Sequence, residues 1–280
     1  AKFAEDRAKE GKDRKKMNKI FSSMNNSLKG IASAGFAKIK SGFSGLAKFA
    51  LGGLALAALA FLNDPVFQKI AFELYRVVKD GGVIVWIVGD KTYKGNKSLS
   101  SYKQALFFQE LGFNIFDVII YEKTGTSPPH PGRYFNSFEY MFVISKGKPK
   151  TINLLRDKKN KWGGEMTFGN VSRREKDGSL TKKGRKKISE FGVRTNIWKY
   201  ANGKGFTTKD KIAYEHPAIF PEKLVVDHIN SWSNEGDIVL DIFGGSGTTI
   251  KIAKNMNRSW IYVDQVKRYC EIALQRIDAQ

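Results

Sequence analysis

Apolar positions change their period several times along this chain, and each change marks an element. Val66 to Val78 recurs at three- and four-residue steps and predicts an amphipathic helix, with Asp64 as N-cap, Pro65 at the first helical position and Asp80-Gly81-Gly82 as its stop. Val83-Ile-Val-Trp-Ile-Val88 is then apolar without interruption and ends at Gly89-Asp90, the pattern of a strand buried on both faces. Ser100 to Leu111 predicts a helix closed at Gly112, followed by strands at Asn114 to Tyr121 and Glu139 to Ser145. Between those strands, Lys123 to Phe135 is rich in Pro, Gly, Ser and Thr and reads as surface loop. Past residue 211 the alternation returns: helix at Leu224 to Trp232, strand at Ile238 to Leu240, helix at Thr248 to Asn255, strand at Trp260 to Val263 and helix at Val266 to Ile277. Buried strands alternating with helices predict an α/β fold with a doubly wound, mostly parallel sheet.

The first 62 residues follow another pattern. Ala1 to Lys19 is charged or small and predicts an exposed helix or disordered chain. Beyond it Leu28, Ala32, Phe36, Ile39, Phe43, Leu46 and Ala50 fall on one helix face. Phe49 to Leu62 carries no charge over 14 residues, short of the roughly 20 that a perpendicular membrane span needs. A buried or interfacial helix is therefore predicted there rather than a span, and the basic stretch before it is too long for an ordinary signal peptide.

Composition sharpens the choice of partner. The 280 residues are 41% hydrophobic, enough for one sizeable α/β domain plus an accessory segment, and the formal net charge is +21. Such a charge points to a polyanion, nucleic acid first and an acidic membrane surface second. Residues 150–211 hold 18 Lys and Arg against 6 Asp and Glu, lack sustained periodicity, and intersperse Trp162, Phe168, Phe191, Trp198 and Tyr200. Inside lies Lys182-Lys183-Gly184-Arg185-Lys186-Lys187, so a basic insert with aromatics predicts contact with phosphates and bases; the competing reading is a solvated loop. The single cysteine, Cys270, excludes an intramolecular disulfide and reads as a plain thiol. His130, His216 and His228 with that one cysteine make no zinc spacing, and no metal is expected.

Candidate chemistry gathers at Val239-Leu-Asp-Ile-Phe-Gly-Gly-Ser-Gly-Thr-Thr249. An apolar strand ending in Asp241, then a turn with Gly244, Gly245 and Gly247, then a helix start, lets backbone N–H groups approach a ligand closely. Thr248 and Thr249 are expected to cap the helix. A Gly-Lys-Ser/Thr ending is absent, which disfavours a phosphate-cradling loop, and Asp264 after the next strand suits the two hydroxyls of a ribose. A nucleoside ligand is predicted.

These residues, with His216-Pro-Ala-Ile-Phe-Pro-Glu222 before them and Arg258, Tyr269 and Arg276 after, resemble the DNA methyltransferases that modify adenine N6 or cytosine N4. The order resembles their permuted β group, in which the catalytic half precedes the target-recognition region and the cofactor motifs come last. Glu73 to Gly82, Val88-Gly-Asp90, Tyr121-Glu-Lys123, Asn136 to Tyr140, Ser145-Lys-Gly147 and Asn196-Ile-Trp198 extend the likeness over about Val66 to Ile277. The resemblance implies a Rossmann-like methyltransferase sheet and S-adenosylmethionine as cofactor, with Asp241, Phe243, Gly245, Gly247, Thr248 and Asp264 lining its pocket and Phe220 stacking nearby. It implies double-stranded DNA as partner, reached through Lys182, Lys183, Arg185, Lys186 and Lys187, in the cytoplasm of a bacterial or phage-infected cell.

Three departures stand out. Ile242 replaces the usual proline, Tyr262 stands where glycine is common, and no Asp/Asn/Ser-Pro-Pro-aromatic motif occurs between Ala1 and Asp64. That motif holds the flipped base's amine, so no catalytic residue is assigned, and the sheet is expected to lack two strands, one of them central. Ser127-Pro-Pro-His130 mimics it, yet it sits in a later loop of the family's order. The organisation expected is a helical segment at 1–62, a catalytic-side half at 63–149, the basic insert at 150–211 and a cofactor half at 212–280. The leading reading is a DNA amino-methyltransferase impaired by the missing motif. The alternative from another class is a catalytically silent DNA-binding or virion- or membrane-associated protein, anchored by a helix over residues 45–62; a generic nucleoside-binding domain is the third.

Overall fold

The protein is described here as a computed structural model covering residues 64–125 and 132–278. Expectations for residues 1–62, including the helix face from Leu28 to Ala50 and the apolar run to Leu62, lie outside the described residues, as does Ser127-Pro-Pro-His130. Elements follow in the order α1 (Pro65–Val77), β1 (Val83–Val88), β2 (Thr92–Tyr93), β3 (Asn96–Lys97), α2 (Ser100–Glu110), β4 (Asn114–Lys123) and β5 (Phe138–Ser145). After them come β6 (Lys158–Lys159), β7 (Ser172–Arg174), β8 (Leu180–Lys182), β9 (Phe191–Gly192), β10 (Ile197–Tyr200) and a 3₁₀ turn at Lys211–Glu215. The chain closes with α3 (Glu222–Trp232), β11 (Ile238–Asp241), α4 (Thr248–Asn255), β12 (Ser259–Tyr262) and α5 (Lys267–Asp278). Every helix and long strand expected beyond residue 64 is present, with bounds within about two residues.

Described residues divide into two compact units. The first takes those within 64–82, 88–115 and 144–148, the second those within 83–87, 116–143 and 149–278. In the first, Asp64 caps α1 as expected: its Oδ1 accepts from the amides of Val66 and Phe67, both at 3.1 Å. The apolar stripe of α1 meets α2 through Phe67, whose ring stands edge-on to Phe107 and Phe108 at 5.6 and 5.4 Å. Phe108 and Ala71 are fully buried there. Asp90 accepts from the Oγ atoms of Ser98, Ser100 and Ser101 and from the Ser101 amide at 3.1 Å. Burial opposes ionisation of Asp90, but these four bonds outweigh it and hold its carboxyl below the usual range.

The second unit contains most of a four-stranded sheet in the order β1-β5-β4-β10, with β10 parallel to β4. Ile119, Tyr121, Met141, Val143, Trp198 and Tyr200 project from it onto Leu224, Val225 and Ile229 of α3 and Ile252 and Ala253 of α4. Burying each such side chain contributes about 1.5–3 kcal/mol, which makes this interface the main stabilising layer of the unit. Strand β11 pairs in parallel only with β12, from Ile238↔Ser259 to Asp241↔Tyr262. Among the described residues no strand joins this pair to the four-stranded sheet.

One expectation needs correction. Residues 150–211 read as aperiodic chain, yet they form two short antiparallel ribbons, β6 with β9 and β7 with β8, joined by a bridge between Met166 and Lys187. Their end, β10, belongs to the main sheet, because Trp198 and Tyr200 alternate inward while Ile197 and Lys199 face out.

Candidate functional site

The glycine turn sits at the carboxyl end of β11, where open α/β sheets place their ligand crevices. Gly244, Gly245, Ser246, Gly247 and Thr248 are all buried, whereas Phe243 beside them is exposed. Asp241 orders the turn: its Oδ1 accepts from the Phe243 amide at 3.1 Å. Gly247 has φ +76° and Gly245 φ +49°, left-handed values that a residue with Cβ adopts at a cost. Asp264 faces the turn from beyond β12, its Oδ2 accepting from the Gly245 amide at 2.9 Å and its Oδ1 from the Val266 amide at 2.8 Å. The turn amide and the acid expected to hold a ribose therefore already meet.

Tyr262 is the residue that replaces the common glycine. Its hydroxyl donates to the Gly245 carbonyl oxygen at 2.8 Å, and its ring fills the space against Gly244. Burial first, and then the negative charge of Asp264, push the hydroxyl well above its ordinary titration range, so it remains a donor. The substitution braces the turn. His216 closes another side: its ring lies 4.3 Å from that of Tyr269, and its Nδ1 is 2.6 Å from the Ala218 carbonyl oxygen. Phe220 is partly exposed at 42%, at the end of the same segment.

The expected cap at Thr248 is corrected. Gly247 is the N-cap of α4 and makes no side-chain cap bond; Thr248 Oγ1 instead accepts from Arg276 Nη1 at 3.0 Å. Thr248 and Thr249 are the first two residues of the helix itself, one position too late for either hydroxyl to cap it.

Lys182, Lys183, Arg185, Lys186 and Lys187 are all exposed on the ribbon side of the insert. Arg185 is tied down, its Nε donating to the Thr167 carbonyl at 2.8 Å. The base of the insert is pinned by Arg194, which sequence reading missed. Its Nη1 donates to Asp227 Oδ2 at 2.7 Å, it forms an ion pair with Asp157, and its guanidinium lies 5.1 Å from the Trp198 ring. Asp227 is 1% exposed on α3 and also receives Tyr200 Oη at 2.7 Å and Lys223 Nζ at 2.6 Å. An acid in the apolar stripe of α3 was the signal in the sequence, since a buried carboxylate demands a partner.

Comparison with known proteins decides the class. Residues 63–275 match the family model for N6/N4 methyltransferases, described as DNA methylase. The chain belongs to this DNA methylase family. It is 56% identical over 212 residues to the orphan methyltransferase M.BamHII of Bacillus amyloliquefaciens, covering 75% of this chain and 80% of that one. It is 31% identical over 207 residues to the type II methyltransferase M2.DpnII of Streptococcus pneumoniae, covering 73% of this chain but only 63% of that one. Among solved structures, the SAM complex of M1.HpyAVI superposes with TM-score 0.50 and 25% identity over 76% of this chain and 82% of that one. A DNA modification methylase structure from Thermus thermophilus, with TM-score 0.51 and 22% identity over 80% of each chain, agrees in fold.

Membership makes this a methyltransferase chain of the S-adenosylmethionine-dependent class with DNA as substrate class, and it does not favour a catalytically silent anchor protein. No described helix is long and apolar enough to cross a membrane, and the contact expected through residues 45–62 lies outside the described residues. Among the described residues no His, Cys, Asp and Glu cluster has the makings of a metal site.

The family's catalytic tetrapeptide has no counterpart in the described residues. Asp64-Pro65-Val66-Phe67 begins like it, but Asp64 serves as a helix cap and Phe67 is buried against α2.

Proposed function

We propose that this chain binds S-adenosylmethionine at the glycine turn and double-stranded DNA through the basic insert, as the cofactor and recognition parts of an adenine-N6 or cytosine-N4 methyltransferase. The observation that carries the reading is the buried turn 244–248 framed by Asp241 and Asp264. The donor set fits the ligand: a carboxylate on Asp264 for ribose hydroxyls, the Gly245 amide that Asp264 then releases for a ligand acceptor, and exposed rings of Phe243 and Phe220 for an adenine face. When bound, S-adenosylmethionine supplies a methyl on a sulfonium; the exocyclic amine nitrogen takes the methyl carbon as the carbon–sulfur bond breaks, and that nitrogen releases one proton.

Within this reading Asp264 exchanges its Gly245 amide bond for the ribose, and Gly244, Gly245 and Gly247 let the turn pack closely against Tyr262, His216 and Ala273. The insert tracks the DNA backbone with Lys182, Lys183, Lys186 and Lys187, while Arg185 holds the Thr167 loop. Clamping the extruded base's amine belongs to the tetrapeptide this chain lacks, so donor binding is expected without efficient transfer. Acting on cellular DNA, the chain works in the cytoplasm of a bacterial or phage-infected cell.

Isothermal calorimetry tests the pocket. Heat of binding with S-adenosylmethionine or its demethylated product is expected from folded protein, and its absence with both ligands would sink the assignment.

A further inference from the structure

We propose that Arg276 is a positioning residue for the methyl-donor pocket, a buried guanidinium that holds the glycine turn in register with the segment carrying His216 and Phe220. The inference rests on the preceding reading that these two segments are walls of one pocket.

Arg276 lies on α5, with its side chain wholly buried. Through Nη1 it donates to the Ser246 carbonyl at 2.7 Å and to Thr248 Oγ1 at 3.0 Å, both in the turn. Through Nε it reaches Asp210 Oδ2 at 2.9 Å, and through Nη2 it reaches Glu222 Oε1 at 3.1 Å and Thr208 Oγ1 at 3.4 Å. Asp210 opens and Glu222 closes the stretch that contains His216 and Phe220. One planar group thus touches the turn and both ends of the facing segment.

A second cation completes the arrangement. Lys251 of α4, 9% exposed, donates to the same oxygens, Asp210 Oδ2 at 2.7 Å and Glu222 Oε1 at 2.8 Å. Arg276, Asp210, Lys251 and Glu222 therefore form a closed ring of alternating charge, in which each carboxylate meets both cations. Gathering two buried cations and two half-buried carboxylates is a poor way to gain stability alone, because desolvation cancels much of the attraction. Such a ring does fix geometry: guanidinium nitrogens have set directions, and a misaligned carboxylate loses both partners. Only Arg276 of the two cations also reaches the turn. Lys251 holds the ring together; Arg276 transmits its position to Ser246 and Thr248.

Substituting Arg276→Lys separates these roles, since an ammonium can serve Asp210 and Glu222 but cannot reach the Ser246 carbonyl at the same time. Arg276→Met removes both roles. Arg194→Met is the control, because it breaks a comparably buried pair with Asp227 elsewhere in the same unit. Each protein is titrated with S-adenosylmethionine by calorimetry below its own melting temperature, with circular dichroism confirming the fold. R276K is expected to weaken binding on the order of 10-fold, as loss of supporting hydrogen bonds does behind other ligand-holding groups. R276M weakens it further where it folds, and R194M lowers the melting temperature while binding like the parent chain. Parent-like affinity in folded R276K would overturn the inference, reducing Arg276 to a structural residue. No binding by the parent chain would instead overturn the pocket reading, and this inference with it.

Discussion

A β-carbon built on Gly244 would collide with Cε2 and Cδ2 of Tyr262, closer than any real contact. The turn and the strand end opposite it are therefore fitted to each other: glycine at 244 makes room for an aromatic at 262, and the aromatic's hydroxyl donates to the Gly245 carbonyl. A tyrosine in place of the glycine common at that position is thus accommodated without opening the turn. Gly244→Ala is expected to destabilise the protein by about 1–3 kcal/mol through overpacking. Adding Tyr262→Ala should recover part of that loss, because the ring is the obstruction. Urea unfolding of the two single variants and the double variant checks the pair; additive losses would contradict it.

Asp264 predicts the behaviour of the proposed cofactor site. It now accepts from the Gly245 amide, so bound ribose hydroxyls must compete for an already satisfied carboxylate. Asp264→Asn keeps the shape and removes the charge. A hydrogen bond to a charged group contributes about 1.5–3 kcal/mol, so S-adenosylmethionine should bind about 10- to 100-fold more weakly by calorimetry. Affinity for DNA should stay at the parent level.

Much of this site was legible in the sequence because its constraints are local. Asp241 after an apolar strand, three glycines in four residues and Asp264 after the next strand are spacing rules of a single β-turn-α-β unit, and the structure realises them. Two things were not legible, for one reason. Arg194 with Asp227 and Arg276 with Asp210 join residues 33 and 66 positions apart, and no periodicity encodes which distant carboxylate a buried guanidinium will meet. The cap expected at Thr248 and Thr249 failed by one position, since Gly247 takes the cap and the Thr248 hydroxyl meets an arginine from another helix. Strand β10 was hidden because four residues, Ile-Trp-Lys-Tyr, give too short an alternation to stand out within a basic stretch.

Binding of DNA should be strongly salt-dependent. Lys182, Lys183, Lys186 and Lys187 are exposed, and each phosphate neutralised contributes a slope of about −0.9 in log affinity against log salt. Changing the four to Gln, while keeping Arg185 for its bond to Thr167, should flatten that slope by roughly 0.9 for every lysine that meets a phosphate. Fluorescence anisotropy on duplex DNA across a salt series measures it. An unchanged slope would move the DNA contact away from this ribbon.

His228 supplies a pH signature of the core. Its ring is packed 4.7 Å from Trp198, receives the Trp232 indole N–H on Nδ1 at 3.3 Å and has Nε2 at 3.1 Å from the Met141 sulfur. A proton on Nδ1 would point at that indole donor inside an apolar layer, and burial holds the imidazole far below its ordinary 6.5, at about 3. The unfolded chain therefore binds more protons than the folded one between about pH 3 and 6.5. Stability rises with pH across that window, is fully present above 6.5, and is lost as pH falls through it, by at most about 1.4 kcal/mol per pH unit. The carboxylates of half-buried Asp210 and buried Asp227 are held below their ordinary 3.8, so their titration falls beneath pH 4, and comparison with a variant lacking the buried imidazole isolates its contribution from pH 7 to 5. Between those two pH values urea unfolding should show the parent chain losing stability relative to His228→Phe, which carries no titrating group at the site. Parallel curves for the two proteins would mean that the imidazole is protonated in the fold, and that the layer between Met141 and Trp198 admits water.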